Sequence, residues 1–150
     1  MNLKIKNALI SVSDKEKLTS LLKVFKKFKV KIISTGGTYK YIKKQGYNCL
    51  ELSKYTGFKE MLDGRVKTLH PKIHAGILHD RNNKKHKTEM STEKFPSLDL
   101  IIVNFYPFQN IVMRSKNPKN IIENIDIGGP TLVRAAAKNF KNVTIITSKN

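Results

Sequence analysis

The sequence has one cysteine, no tryptophan and no long apolar run, and these absences exclude several classes of protein. It holds a single cysteine, Cys49, and no tryptophan among 150 residues, which excludes an internal disulfide and a cysteine metal cluster. No run approaches the ~20 consecutive apolar residues that span a bilayer, and the amino-terminal residues lack the apolar stretch of a signal peptide. We therefore expect a cytoplasmic protein in a reducing compartment, with no membrane partner.

Acidic residues are also scarce. There are 11 Asp and Glu against 29 Lys and Arg, which gives a net charge of +18. Such a surface attracts nucleic-acid backbones, and an RNA-binding accessory protein is one reading of it. However, only four of the cations are Arg, and the excess lysine accompanies abundant Asn and Ile. These residues share A/T-rich codons, so biased composition accounts for the charge and we expect no nucleic-acid partner.

The apolar pattern indicates strands that alternate with helices. Short apolar runs predict strands at residues 7–12, 30–34, 49–52, 98–104 and 143–147. Helices are expected after Ser13, which has the capping-box spacing to Glu16, after the turn that ends at Thr38, and from Pro130 to Asn139. This alternation predicts an α/β fold with a mainly parallel central sheet.

Two segments carry further expectations. Leu18, Leu21, Leu22, Phe25 and Phe28 recur at helical spacing, so we expect all of them to pack on the sheet. Residues 55–78 are interrupted by glycine and proline and predict a long structured loop. Loops of that kind more often carry function than scaffold.

Polar turns follow the first two predicted strands. They contain Ser11, Ser13, Asp14 and Lys15, and then Thr35, Gly36, Gly37 and Thr38. A strand followed by a helix amino terminus offers free N–H groups to an anion, and glycine lets a phosphate approach the backbone. Taken singly, the first segment is better explained by Ser13 as a helix cap and the second by Gly36-Gly37 as a tight turn. There is no Gly-x-Gly-x-x-Gly fingerprint and no P-loop, so no dinucleotide or ATP is expected.

Two later segments bring charge to the same predicted sheet edge. Arg65, Lys67 and Thr68 place a guanidinium, an ammonium and a hydroxyl within four residues, which suits an oxyanion. Asp126 lies between two isoleucines and needs a partner, for which Lys138 on the next helix is a candidate. A solvated loop and a structural salt bridge are the alternatives.

Three histidines raise the question of a metal site. Pro71 and Gly76 argue against one helix that presents His70 and His74 together, and no cysteine supplements them or His79. We expect no metal. A histidine general base stays open, since neutral imidazole is available near pH 7.

Taken together, the motifs resemble the IMP cyclohydrolase domain of the bifunctional AICAR transformylase/IMP cyclohydrolase family. The resemblance covers almost the whole chain and is most specific in two segments. These are Arg65-Val66-Lys67-Thr68-Leu69-His70-Pro71 and Asp126-Ile127-Gly128-Gly129-Pro130. It implies a methylglyoxal-synthase-like fold, which is a three-layer α/β sandwich with a mainly parallel central sheet. It also implies the ring closure of formyl-AICAR to IMP with loss of water.

The resemblance implies roles for particular residues. Lys67 would polarise the formyl oxygen, Asp126 would accept the amide proton with help from Lys138, and Tyr106 would lie near the reacting groups. The remaining positions would bind substrate: Ser11, Ser13, Asp14, Lys15, Thr35, Gly36, Gly37, Thr38, Arg65, Val66, Thr68, Val103, Asn104, Ile127 and Gly128. No cofactor or metal is implied.

Several expectations concern the surroundings of this domain. The resemblance implies a homodimer and a transformylase domain that is fused or separate, whereas residues 1–150 are expected to be a cyclohydrolase domain without its carboxy-terminal elements. The alternative is a non-catalytic module of the same fold that binds a phosphorylated metabolite. Methylglyoxal synthase itself is less favoured, because no second carboxylate motif suits proton shuttling.

Overall fold

The computed structural model describes residues 4–105 and 107–148. Within these ranges there are five strands, eight α-helices and one short 3-10 helix at Leu62–Gly64. The strands are β1 (Asn7–Val12), β2 (Lys31–Ser34), β3 (Leu50–Glu51), β4 (Leu100–Asn104) and β5 (Thr144–Ile146). The helices are α1 (Leu18–Lys27), α2 (Gly36–Lys44), α3 (Leu52–Thr56), α4 (Pro71–Leu78), α5 (Lys84–Thr92), α6 (Phe108–Arg114), α7 (Pro118–Glu123) and α8 (Gly128–Lys138). All five predicted strands are confirmed: β1 has the predicted bounds, and no end of the other four is shifted by more than two residues.

The strands form one sheet in the order β3-β2-β1-β4-β5, and every neighbouring pair is parallel. Leu9 at the centre of β1 lies opposite Ile33 on one side and Ile101 on the other. The chain first runs outward from β1 to β3, then returns to β4 on the other side of β1. The gap between the carboxyl ends of β1 and β4 is therefore the topological switch point, where open α/β sheets bind ligands.

Successive strand residues face opposite sides of the sheet, and both sides are covered. Ala8 and Ile10 of β1 belong to a core beneath α1 and α2, while Leu9 belongs to a core with residues of α3, α4 and α8. All three side chains are fully buried. Helices on both faces of a parallel sheet make a three-layer α/β sandwich, and this confirms the predicted fold class.

The predicted start of α1 is wrong. The helix begins at Leu18, and its N-cap is Lys17, whose φ of 61° is left-handed. The hydroxyl of Ser13 does not cap it, because that hydroxyl donates to Asn104 and to the carbonyl of Phe105. The predicted apolar face is correct at Leu18, Leu22 and Phe25, which are buried. Phe28 comes just after the helix and is 65% exposed.

Residues 55–78 are more regular than predicted. Pro71 opens helix α4 at a first-turn position, where its missing N–H costs no hydrogen bond. His70 caps this helix, since its ring nitrogen Nδ1 accepts from the backbone N–H of Lys72 at 3.1 Å. His74 lies inside this helix, whereas His70 precedes it as the N-cap, so the two histidines are not both within the helix.

Helices α6 and α7 were not predicted. Neither contains a buried residue, and helices of seven and six residues are too short to show a clear helical period in the sequence. The start of α7 does carry a signal, because the side chain of Asn117 accepts from the N–H of Lys119 and Pro118 follows the cap. Helix α8 begins at Gly128, two residues before the predicted start at Pro130.

Asp99 lies at the amino edge of the sheet and is only 5% exposed. Its Oδ2 accepts from the backbone N–H groups of Lys6 and Asn7, each at 2.7 Å. Its Oδ1 pairs with Arg81 at 2.8 Å. A buried carboxylate with these partners is fully compensated, so this edge is structural. Nowhere in the described part of the chain is a helix both long and apolar enough to cross a bilayer.

Candidate active site

A cavity of about 630 Å³ opens at the carboxyl edge of the sheet, at the switch point between β1 and β4. That volume is typical of sites for small organic ligands. Most of the sequence-predicted site residues line it: Ser11, Ser13, Lys15, Thr35, Gly36, Gly37, Thr38, Arg65, Lys67, Thr68, Val103, Asn104, Asp126, Ile127 and Gly128. The structure therefore brings together segments that are more than a hundred residues apart in sequence.

The turn after β1 is held in place by Asn104 at the end of β4. The side-chain oxygen of Asn104 accepts from the backbone N–H of Ser13 at 2.6 Å and from its hydroxyl at 2.9 Å. Its amide group donates to the carbonyl of Asp14 at 3.0 Å. These contacts span the switch point and fix the turn against β4. Asp14 itself does not line the cavity; its carboxylate accepts from the N–H of Glu16.

The amino terminus of α2 forms a second wall. Thr35 occupies the N-cap in extended conformation and its side chain makes no capping hydrogen bond. The hydroxyl of Thr38 is instead committed to β1, since it donates to the carbonyl of Val12 at 2.8 Å. The first N–H groups of α2 therefore have no side-chain cap, and the ammonium of Lys15 lies close to Gly37. This wall favours an anion.

The loop that carries the predicted cations is a tight hairpin. Met61 and Val66 pair across it in antiparallel fashion, and Leu62, Asp63 and Gly64 between them all have positive φ. The ammonium of Lys67 lies 3.6 Å from the point that a Cβ on Gly64 would occupy. Val66 is engaged in the pairing and does not line the cavity, whereas Lys67 and Thr68 do.

Asp126 lies at the start of α8. Its Oδ1 accepts from the backbone N–H of Gly129 at 2.9 Å, which satisfies one free donor of the helix amino terminus. A Cβ at Gly129 would collide with Oδ2 of Asp126, and a Cβ at Gly128 would collide with the hydroxyl of Thr68. Both glycines are thus required by close packing, and this explains the two adjacent glycines in the motif.

Arg65 extends across the cavity mouth to Glu123 at the end of α7. The guanidinium forms two hydrogen bonds with the carboxylate, of which Nε to Oε1 is 3.0 Å. The hydrogen bond and charge of Glu123 raise the pKa of Arg65 above its ordinary value, and the hydrogen bond from Arg65 lowers the pKa of Glu123. Both side chains are more than half exposed.

One predicted catalytic residue, Lys138, does not line the cavity. Tyr106 lies outside the described residues. Lys138 is the last residue of α8, and ten residues of helix carry it about 15 Å from Gly128. It is exposed and does not line the cavity. The structure does not bring Lys138 to Asp126. Asp126 lies at the start of α8 and Lys138 at its end, so the length of the helix separates them.

Sequence reasoning missed one wall of the cavity. Ile122, Glu123, Asn124 and Ile125 line it and come from the unpredicted helix α7 and the turn after it. The Asn117-Pro118 helix start was the available signal. Across residues 4–105 and 107–148, no group of three His, Cys, Asp or Glu is arranged to hold a metal ion.

The chain is similar to several known proteins. The chain is 49% identical to the bifunctional purine biosynthesis protein PurH of Clostridium acetobutylicum over 146 residues, and 50% identical to that of Clostridium beijerinckii over 145 residues. Each alignment covers 97% of this chain but only 29% of the relative. A solved structure described as ForH superposes with a TM-score of 0.83 at 29% identity, over 95% of this chain and 72% of the other. The MGS-like domain family matches residues 17–131. The chain belongs to the MGS-like domain family.

Proposed function

We propose that this chain is an IMP cyclohydrolase, which closes the purine ring of formyl-AICAR to give IMP with loss of water. The observation that carries the proposal is one cavity in which Lys67 and Asp126 accompany a wall suited to an anion. The identity of about half to relatives named as purine biosynthesis proteins supports it. Because the chain spans 29% of those relatives, the other activity in their name is not assigned to it.

The turn after β1 and the amino terminus of α2 would hold the substrate phosphate. The uncapped N–H groups of α2 and the nearby ammonium of Lys15 supply donors and positive charge. Fixing the phosphate there would direct the base towards the opposite wall, where Lys67 and Asp126 lie. Since the attack is intramolecular, holding a single conformer contributes a large part of the rate enhancement.

At the base, the carboxamide nitrogen forms a bond to the formyl carbon and loses a proton to Asp126. Lys67 stabilises the negative charge that develops on the formyl oxygen. Once protonated, that oxygen leaves as water with the proton of the former formamide nitrogen, and the ring gains its double bond. Proton and charge therefore balance without a redox cofactor.

The roles predicted for Tyr106 and Lys138 stay predictions. A Lys138→Arg variant with full turnover would exclude proton transfer by Lys138, because arginine keeps the charge but does not deprotonate near neutral pH.

The test is conversion of formyl-AICAR to IMP by this chain, followed by absorbance. We expect turnover in the wild type and a loss of more than about a hundredfold in Lys67→Ala. Lys87→Ala, which removes an exposed lysine of α5 away from the cavity, is the matched control and should retain full turnover. Absence of turnover in the wild type would overturn the proposal.

A specific observation favours the alternative of a non-catalytic binding module. Oδ1 of Asp126 already caps α8, so the carboxylate has a structural use that needs no chemistry. Asp126→Asn separates the two readings, because asparagine is an equally good N-cap but does not accept the proton. A catalytic Asp126 predicts that this variant binds IMP, keeps its stability and loses turnover. A module predicts IMP binding and no turnover in wild type and variant alike.

We further propose a homodimer in solution, with a transformylase domain as a fused or separate partner. The relatives named as bifunctional proteins, of which this chain spans 29%, support a further domain as partner. Sedimentation velocity tests the dimer, and a monomer at micromolar concentration would contradict it. The cytoplasmic location and the absence of a nucleic-acid partner remain predictions.

A further inference from the structure

Residues 108–124 form an arm that is weakly attached to the rest of the protein. They comprise α6 and α7, in which no residue is buried. Their backbone hydrogen bonds stay within the segment and its adjoining turns. The side chains of Asn117, Asn120 and Asn124 also bond within it. Segments with so little burial open locally at a small free-energy cost.

This arm nevertheless forms part of the cavity wall, through Ile122, Glu123 and Asn124. Across residues 4–105 and 107–148, the Arg65–Glu123 pair is the one hydrogen bond or ion pair that joins the arm to a distant part of the chain. It runs from the arm to the hairpin of residues 61–66. The pair thus joins two edges of the cavity mouth.

We propose that residues 108–124 are a lid over the cavity, that Arg65 and Glu123 form its latch, and that Glu123 is a positioning residue for ligand retention. The identity of the ligand as a purine nucleotide rests on the proposed function; the latch does not. With the latch formed, the lid covers a bound ligand and slows its departure. With the latch open, the ligand exchanges.

The chemistry of the pair suits a reversible latch. Two parallel hydrogen bonds give the arginine–carboxylate pair a defined geometry, which a lysine would not reproduce. Because both partners are more than half exposed, water and salt weaken their attraction. The latch is therefore strong enough to bias the lid and weak enough to open during each binding cycle.

The first test measures amide hydrogen exchange of residues 108–124 in the ligand-free protein. Glu123→Gln and Arg65→Gln should each raise exchange there by about 1.5- to 5-fold, the range expected for loss of an exposed ion pair. The charge-swapped double variant, Arg65→Glu with Glu123→Arg, should restore protection. Glu89→Gln is the matched control, because Glu89 is a similarly exposed glutamate whose ion pair with Lys85 stays within one helix.

The second test measures the dissociation rate of IMP by stopped flow. Glu123→Gln should release IMP faster by a similar factor, and because salt also weakens phosphate binding, added salt should accelerate release more in the wild type than in the variant. Unchanged exchange in both single variants, or a double variant that stays unprotected, would overturn the latch. Failure of the wild type to bind IMP would instead overturn the proposed function, while the exchange experiment still decides on the latch.

Discussion

The side-chain oxygen of Asn104 accepts hydrogen bonds from both the N–H and the hydroxyl of Ser13, at 2.6 and 2.9 Å, across the switch point of the sheet. A residue predicted to touch the ligand thus organises the turn that would bind it. The amide of Asn104 also donates to the carbonyl of Asp14.

Asn104→Leu removes these hydrogen bonds while it keeps the size of the side chain. We expect weaker IMP binding and a free energy of unfolding lower by about 1–3 kcal/mol, since each lost hydrogen bond costs about 1 kcal/mol. Calorimetric titration and urea unfolding measure the two effects. Asn48→Leu, at an exposed position, is the control. Unchanged affinity in Asn104→Leu would show that the turn holds its shape unaided.

Gly128→Ala should destabilise the protein by about 1–3 kcal/mol, because the new Cβ meets the hydroxyl of buried Thr68. Thr68→Ala removes that hydroxyl and leaves space for the new Cβ. The double variant Gly128→Ala/Thr68→Ala should therefore be more stable than the sum of the two single changes predicts. Thermal unfolding of the wild type, the two single variants and the double variant measures this difference in stability. If the effects of the two single changes simply add in the double variant, the packing argument is refuted.

Gly129→Ala should act on Asp126 directly. The added methyl group collides with Oδ2 of Asp126 and comes within 3.2 Å of the Phe105 ring, so the carboxylate must leave its capping position. We expect a loss of turnover together with about 1 kcal/mol of stability, as for a lost helix cap. If Gly129→Ala keeps both turnover and stability, the position of Asp126 is not critical.

Cys49 should be unreactive in the folded protein. Burial raises the pKa of its thiol from 9.0 to about 11, although the charge of Lys43 opposes this. At a pH near 8 the thiolate population is then about a hundredfold smaller than in the unfolded chain, and only thiolate reacts. The rate of alkylation by iodoacetamide, with and without denaturant, measures the ratio. Equal rates in the two states would contradict the prediction.

His79 should make the protein less stable in mild acid. Burial lowers the pKa of His79 below its ordinary value of 6.5, and the charge of Arg81 adds to this. Between that lowered pKa and about pH 6.5 the unfolded chain binds more protons, so the free energy of unfolding rises with pH. The contribution is complete above about pH 6.5 and is lost as the pH falls through the folded-state pKa.

Urea unfolding across this pH range measures the slope. His79→Gln should flatten it, since glutamine does not titrate. A slope that is the same in wild type and variant would assign the acid sensitivity to other groups.

The α/β class followed from the sequence because the buried strands are apolar runs bounded by turn residues. Leu100 to Val103 illustrates this, as all four residues are buried on one face of the sheet or the other. The cavity was also predictable in outline. Parallel strands place their carboxyl ends at a common edge, so Ser13 and Asn104 were expected at the same edge, whereas the pairing of β1 with β4 that brings them into contact was not predicted.

The remaining features depend on contacts that no local pattern reveals. Ser13 and Glu16 have the spacing of a cap, yet the hydroxyl of Ser13 is used by Asn104, more than ninety residues away. Helix α7 lacks an apolar stripe because it borders the cavity mouth rather than the core. Lys138 was paired with Asp126 on charge and on the family resemblance, and neither takes account of the length of the helix between them.

The Asp99 network and the cavity occupy opposite ends of the same strands. Asp99 ties Arg81 and the start of β1 together at one end, whereas the proposed chemistry takes place at the other. Residues at the edge of the cavity can therefore change during evolution without disturbing the Asp99 network. Changes in the loops around the cavity can therefore alter which ligand is bound while the sheet stays the same.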